Sequence, residues 1–130
     1  MKIVALGSTG CVAGARRRSA RTCRPVPTNS ALTFADGMAV RVPDEEALSI
    51  MQRGMERLIE ITDDEIAEAI RVLYSDTHTL AEGAGAAAFA ALMRERDHIR
   101  GKRVASIVSG QNIDRPWMQT VLAGGTPTVV

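Results

Sequence analysis

The sequence predicts an α/β fold built on a small, mainly parallel sheet. Short apolar segments with the character of strands alternate along the chain with longer segments whose apolar residues recur every three or four positions. Such alternation is typical of strand–helix–strand units, in which consecutive strands run parallel. The apolar runs at residues 3–6 and 104–108 are nearly continuous, as expected of strands buried on both faces. Few strands are visible, so the sheet is expected to be small or partial.

Length and composition are those of one globular domain. The chain has 130 residues, of which 45% are hydrophobic and 24% charged, enough for a core of its own. Its 16 basic and 15 acidic residues give a net charge of +1, which favours neither nucleic acid nor an anionic membrane as a partner. No run approaches the roughly 18 consecutive apolar residues of a membrane span. The two cysteines, Cys11 and Cys23, form no metal or disulfide pattern and favour a cytoplasmic location.

The first 24 residues combine a predicted strand with a basic segment. Residues 2–6 (KIVAL) are predicted to form a buried strand, and residues 7–10 (GSTG) a turn after it. Residues 11–24 contain five arginines and little periodicity. The simpler interpretation of this segment is a solvent-exposed helix face or a loosely attached segment. The alternative is a phosphate-binding surface.

Prolines and acidic residues mark the next part of the chain. Pro25 and Pro27 indicate a loop. Pro43 and the three acidic residues after it predict the first turn of a helix, where unpaired N–H groups and the helix dipole favour negative charge. Apolar residues continue at helical spacing, and residues 58–61 (LIEI) then predict a strand.

Two helices are predicted between residues 62 and 94. Thr62 and Glu65 have the spacing of a capping box, and the helix that follows, residues 63–74, places its apolar residues on one face. Residues 82–93 are predicted to form a helix of small residues, whose surface allows another backbone to approach closely.

The last third of the chain predicts a strand, a helix and a tail. Residues 104–108 (VASIV) are predicted to be a strand buried on both faces. Residues 112–114 are predicted to cap a final helix with Pro116 in its first turn, and residues 124–130 to be a loop. We expect three parts in all: residues 1–25 with the strand and the arginine-rich segment, the main domain at 26–123, and the tail at 124–130.

Three glycine-containing turns carry a resemblance to a known family. They are FADG at residues 34–37, EGAG at 82–85 and SGQN at 109–112. Within the longer stretches TFADGMAVRVP, TDDEI, EGAGA and GKRVASIVSGQNID, in that order, they resemble the C-terminal part of the threonine/serine dehydratase family, which includes serine racemase-like proteins. These are fold type II enzymes that use pyridoxal 5'-phosphate. The resemblance covers residues 26 to about 120 and implies a partial doubly wound α/β fold.

The resemblance implies a role for five residues. Gly37 matches the glycine whose backbone packs against the cofactor ring, and only glycine permits such an approach. Glu82 matches a carboxylate near the active site that helps to set protonation around the cofactor. Ser109 matches the residue whose hydroxyl bonds to the pyridine nitrogen, and Gly110 and Asn112 shape that turn. Because a neutral hydroxyl does not stabilise a pyridinium, the ring is expected to be a mild electron sink, which suits elimination of a β-hydroxyl.

The sequence also departs from the family pattern. Gln111 replaces the second glycine of the last turn. Members that bind a divalent cation place carboxylates after the strand that matches residues 2–6, and here Gly7, Cys11 and Ala13 occupy that region, so we expect no metal. The family's Ser-Phe-Lys motif, its Ser-x-Gly-Asn-His substrate loop and its phosphate loop lie N-terminal to the matching part and are absent, so no catalytic residue is assigned.

These features predict a truncated threonine/serine dehydratase-like protein that is inactive alone. The family reaction is α,β-elimination of water, with release of ammonia, from serine or threonine. A non-catalytic protein-interaction module, or one half of a split enzyme with a complementary chain, is the alternative, and a nucleic-acid contact through residues 11–24 is a third. We expect the isolated chain to expose apolar surface and to self-associate or remain loosely packed.

Overall fold

The computed structural model describes residues 3–8 and 24–129, and for residues 3–8 and 54–57 it describes the backbone alone. Cys11, Cys23 and most of the arginine-rich segment therefore lie outside the described residues, as does Lys2. The elements in chain order are β1 (Ile3–Ser8), α1 (Glu45–Gly54), β2 (Met55–Ile61), α2 (Asp63–Thr77), α3 (Gly83–Arg94) and α4 (Arg115–Leu122), with a single turn of 3₁₀ helix at Asp36–Met38.

The two strands pair in parallel. The register runs from Ile3 opposite Met55 to Ser8 opposite Ile61, with one irregularity after Ile3. Gly7 and Ser8, predicted as a turn, thus belong to β1, because each has a partner residue in β2. The described residues form an α/β arrangement. Their sheet has two strands, which are too few to establish the mainly parallel sheet predicted from the sequence.

The start of α2 confirms the capping box. The Thr62 hydroxyl accepts from the Glu65 N–H (3.1 Å), while the Glu65 carboxylate accepts from the Thr62 N–H (2.6 Å). The helix runs three residues beyond the predicted end and stops at His78, whose φ of 53° is left-handed. Its apolar face is buried as predicted, through Ile66, Ala69, Ile70 and Leu73.

The small-residue helix α3 packs against α2 and the sheet. Four of its alanines, Ala86, Ala87, Ala90 and Ala91, are at most 2% exposed, and short side chains let neighbouring backbones approach closely. This packing forms the centre of the core. The loop before α1 closes the core at one end with Phe34, which is 1% exposed.

The predicted strand at residues 104–108 is wrong. This segment has no regular secondary structure and is mostly exposed, with Val104 at 48% and Ile107 at 80%. A strand needs a hydrogen-bonded neighbour, and no described residue pairs with this segment. Its apolar sequence therefore marks a segment that can form a strand but has no strand to join among the described residues.

The C-terminal part agrees with the remaining predictions. Helix α4 begins after Asp114 with Pro116 in its first turn, although the Asp114 side chain makes no capping bond. Residues 124–129 form a loop. The Arg71 guanidinium of α2 holds both the end of α4 and this loop by donating to the Val121 and Gly125 carbonyl oxygens at 3.0 and 3.1 Å.

Candidate functional site

The three glycine-containing turns meet around Glu82, which lies at the position just before α3. The Glu82 N–H donates to the Gly110 carbonyl oxygen at 3.0 Å, and its carboxylate accepts from the Asn112 N–H at 3.0 Å. The carboxylate makes no capping bond to its own helix. Glu82 therefore holds the turn at residues 109–112 from two sides.

Close packing explains two of the glycines. A Cβ on Gly110 would overlap the Glu82 carboxylate, and a Cβ on Gly85 would overlap the Gly110 backbone, 2.9 Å from its nitrogen. The first turn of α3 and the SGQN turn are thus in direct backbone contact. Substituting either glycine would push the two segments apart.

Gly37 brings the first turn to the same place. A Cβ there would lie 2.9 Å from the Ala84 Cβ and 3.7 Å from a Glu82 carboxylate oxygen. Gly37 is exposed on its other side. Its N–H donates to the Asp36 carboxylate at 2.7 Å, which fixes the tight turn.

Asp63, at the start of α2, holds the chain that leads into this turn. Its carboxylate accepts from the Thr33 hydroxyl at 2.6 Å and from the Phe34 N–H at 3.3 Å. The Thr33 oxygen in turn accepts from the Ala35 N–H at 3.1 Å, and Thr33 is 3% exposed. One carboxylate thus connects the helix start to the loop that positions Gly37.

Ser109 lies on a segment whose burial alternates from residue to residue. Residues 106, 108 and 110 are half-buried, whereas residues 105, 107, 109 and 111 are exposed. Val108 packs against the core, so the Ser109 hydroxyl lies on the outer face. Gln111, the departure from the family pattern, is exposed on that face as well.

A pocket lies beside Glu82, and it is acidic. Phe34 and Trp117 pack edge to face at its side, with ring centroids 6.1 Å apart. Its lining contains no basic residue and consists of Phe34, Asp36, Glu82, Gly83, Asn112, Ile113, Asp114 and Trp117.

The structure brings together the five site residues expected from the sequence: Gly37, Glu82 and Gly110 are in contact, Asn112 is bonded to Glu82, and Ser109 is adjacent to Gly110. Sequence reasoning missed the role of Asp63 and assigned Asp36, Asp114 and Trp117 no place in the site. The motif TDDEI was the available signal for Asp63, but it was interpreted as a helix start and as part of the family resemblance, with no role given to Asp63.

The described residues lack two kinds of feature. They contain no group of three or more His, Cys, Asp or Glu residues placed to hold a metal ion. Within the same part of the chain, every helix is too short or too polar to cross a membrane.

Comparison with known proteins gives a consistent set of matches. A model of the pyridoxal-phosphate dependent enzyme family matches residues 1–110. L-threonine ammonia-lyase of Thermotoga maritima is 34% identical over 93 residues, which are 72% of this chain and 23% of that protein. Phenylserine dehydratase of Ralstonia pickettii is 32% identical over 103 residues, 78% of this chain and 32% of that protein.

Solved structures agree with these matches. The processed form of threonine deaminase isoform 2 from Solanum lycopersicum superposes with a TM-score of 0.79 at 25% identity, over 92% of this chain and 35% of that one. Maize serine racemase has the same TM-score of 0.79 at 20% identity, over 94% of this chain and 38% of the racemase chain. This similarity shows a shared fold. The chain spans about a quarter of the length of the first curated relatives, 23% and 24%.

Proposed function

This chain belongs to the pyridoxal-phosphate dependent enzyme family, and we propose that it is the cofactor-ring side of a threonine/serine dehydratase-like enzyme. The proposed reaction is elimination of water and release of ammonia from serine or threonine. The observation that carries this proposal is the convergence of the three glycine turns on Glu82, with the Ser109 hydroxyl on the open face beside them. A cytoplasmic location belongs to the same proposal and is supported by the low cysteine content.

The described residues fit one part of pyridoxal phosphate. Gly37 offers bare backbone on its exposed side, which a flat ring can approach, and Ser109 offers a neutral hydroxyl that can donate to a ring nitrogen. Bound cofactor acts as an electron sink for the substrate's α-carbon. Ser109 would hold the ring nitrogen, and Glu82 would keep Ser109 in place through its bonds to residues 110 and 112.

The phosphate end does not fit this pocket. Asp36, Glu82 and Asp114 line it, and carboxylates repel an anionic phosphate, which proteins bind with N–H groups at helix N-termini or with basic side chains. The phosphate would therefore have to be bound by residues outside this pocket, which supports the proposal that this chain supplies only the ring side of the site.

We also propose that the chain alone does not catalyse the reaction. The sequence contains two lysines, Lys2 and Lys102, and covalent attachment requires one beside the ring. Lys102 is exposed in the turn that follows α3, outside the group of residues around Glu82. Borohydride reduction of the purified chain with pyridoxal phosphate should leave no lysine stoichiometrically labelled, as measured by mass spectrometry.

A second measurement tests the ring contact itself. Pyridoxal phosphate should shift the NMR signals of Gly37 and Ser109 weakly and reversibly, and Ser109→Ala should reduce the Gly37 shift more than the control Ser75→Ala, because Ser75 is exposed on α2. Formation of a keto acid from serine or threonine by this chain alone would overturn the proposed inactivity. Identical cofactor shifts in both variants would overturn the assignment of Ser109.

The alternative function, a non-catalytic interaction module or one half of a split enzyme, is favoured by one observation. Val104 and Ile107 are 48% and 80% exposed on the segment that leads to Ser109, and apolar side chains grouped on the surface are a feature of sites that another polypeptide covers. A split enzyme would gain activity when its complementary chain is added, whereas an interaction module would not.

A further inference from the structure

Asp36 and Gly37 form the one Asp-Gly pair in the sequence, and both residues are exposed in the single turn of 3₁₀ helix. The Gly37 nitrogen lies 2.7 Å from an oxygen of the Asp36 carboxylate. Because a C–O bond of this kind is about 1.2 Å long, the carboxyl carbon of Asp36 lies at most about 4 Å from the same nitrogen. The side chain of Asp36 is thus folded back onto the peptide nitrogen that follows it, and a bond between the two would close a five-membered ring.

The Gly37 nitrogen is open to such a reaction. Within the described residues its N–H has no acceptor other than the Asp36 carboxylate, and glycine has no Cβ to shield it. A planar ring requires an extended ψ at Asp36 in place of the helical one. Closing the ring therefore breaks the bond from the Ala39 N–H to the Asp36 carbonyl oxygen (2.8 Å). Such a local opening of an exposed turn leaves the core intact.

We propose that Asp36–Gly37 is a site of spontaneous isomerisation, at which Asp36 converts to isoaspartate through a cyclic imide. This inference does not rest on the proposed function. The Gly37 nitrogen attacks the carbon of the protonated Asp36 carboxyl group: the N–C bond forms, the C–OH bond breaks, and the hydroxyl leaves with the N–H proton as water. Water then adds to either carbonyl carbon of the imide. Cleavage at the side-chain carbonyl restores aspartate, whereas cleavage at the main-chain carbonyl gives isoaspartate, so water is the only co-reactant.

The other aspartates of the chain lack this arrangement, because each is followed by a residue with a side chain. The carboxylate of Asp63 is already bonded to Thr33 and Phe34. Asp97 is exposed in a turn, as Asp36 is, but its carboxylate pairs with the Arg100 guanidinium at 3.1 Å. Asp97 is therefore an internal control for an exposed aspartate without the glycine.

Isomerisation would displace the turn from Glu82. Isoaspartate carries the main chain through its side-chain carbons and so lengthens the backbone by one methylene group. Gly37 has no room for added atoms on its inner side, since a Cβ there would lie 2.9 Å from the Ala84 Cβ. The longer turn must therefore move, together with Met38, which is 8% exposed. We expect the isomerised chain to have a lower urea midpoint and faster hydrogen exchange at the amides of Met38 and Ala39, which hold the turn.

The test is incubation of the folded chain in water enriched in oxygen-18, followed by peptide mass spectrometry. Each passage through the imide leaves one heavy oxygen at residue 36, whichever product forms. Label should enter Asp36 at least about tenfold faster than Asp97, because no Cβ shields the Gly37 nitrogen. Isoaspartate is measured separately, as loss of cleavage by Asp-N endoproteinase, which cuts before aspartate but not before isoaspartate. Fragment spectra distinguish label at Asp36 from label due to deamidation of Asn29, which occurs in the same tryptic peptide.

Two comparisons complete the experiment. Asp36→Glu keeps a carboxylate at this exposed position but would have to close a six-membered ring, so label at residue 36 should be lost. A synthetic peptide of residues 31–41 reacts without the fold, and the folded chain should react within about tenfold of its rate because the turn opens locally. Equal labelling of Asp36 and Asp97, a folded chain slower than the peptide by more than that factor, or complete Asp-N cleavage before residue 36 after ageing would overturn the inference. These three outcomes are measured on the unaltered sequence, so the test holds even if the glutamate variant does not fold.

Discussion

Gly85→Ala sets two physical effects against each other. Gly85 lies in the first turn of α3, and alanine is favoured over glycine in a helix interior by about 1 kcal/mol. In this structure, however, the added Cβ would overlap the Gly110 carbonyl oxygen and lie 2.9 Å from the Gly110 nitrogen. These are backbone atoms, which cannot rotate away as the end of a side chain can.

The packing effect should prevail. Adding a methyl group to a well-packed site costs about 1–3 kcal/mol. Moving Gly110 away would also break the bond from the Glu82 N–H to its carbonyl oxygen, which contributes about 1 kcal/mol. After the helix-propensity gain of about 1 kcal/mol is subtracted, the expected net loss of unfolding free energy is roughly 1–3 kcal/mol.

The assay is urea unfolding followed by circular dichroism, together with hydrogen exchange at the Glu82 amide. We expect a lower urea midpoint and faster exchange at Glu82. The control Ser75→Ala, at an exposed helical position, improves helix propensity without a new contact and should raise the midpoint slightly. A Gly85→Ala variant that is stabilised by about 1 kcal/mol, as propensity alone predicts, would refute the close contact between α3 and the SGQN turn.

Three further predictions concern other parts of the chain. Asp63→Asn should lower the free energy of unfolding by about 1–2 kcal/mol and speed hydrogen exchange at the Phe34 amide, because hydrogen bonds to a charged acceptor are stronger. The control Asp97→Asn, at an exposed position, should change stability by less than about 0.5 kcal/mol. Equal effects of the two substitutions would contradict the role given to Asp63. His78→Gly should raise the unfolding free energy by about 0.5–1 kcal/mol because glycine adopts the left-handed conformation without strain, and His78→Ala should not; a gain in both variants would exclude that explanation. Magnesium or calcium should leave the melting temperature unchanged, because we expect no metal site. A ligand bound only by the folded state must raise the melting temperature, so a clear rise would show that the chain has a metal site.

Features that depend on neighbours in sequence were predictable. Thr62 and Glu65 are three residues apart and cap each other, and Pro116 lies in the first turn of its helix, where its fixed φ is compatible with the helix. In these cases both partners of the interaction are visible in a short stretch of sequence. The helix boundaries at residues 63 and 115 followed directly.

Features that depend on distant partners were not predictable from the residues alone. Asp63 and Thr33 are 30 positions apart, and nothing in the spacing links them. The apolar run at residues 104–108 correctly indicated a segment suited to a sheet, but whether such a segment becomes a strand depends on a neighbour that the described chain does not supply. The meeting of the three glycine turns was expected only through the family resemblance, because single glycines occur in loops of every fold.

The contacts of Glu82 hold the turn around Ser109 in place within the described chain. The carboxylate and the N–H of Glu82 hold the backbone at Asn112 and Gly110, so the conformation around Ser109 does not depend on a strand beside it. A site whose residues are held in place before binding loses less conformational entropy when its partner arrives. In the same arrangement Ile107 is exposed to solvent, and burying its side chain against another apolar surface would be favourable. Ile107 and Ser109 are therefore exposed on one surface beside Glu82, and covering that surface would both bury Ile107 and enclose the Ser109 hydroxyl.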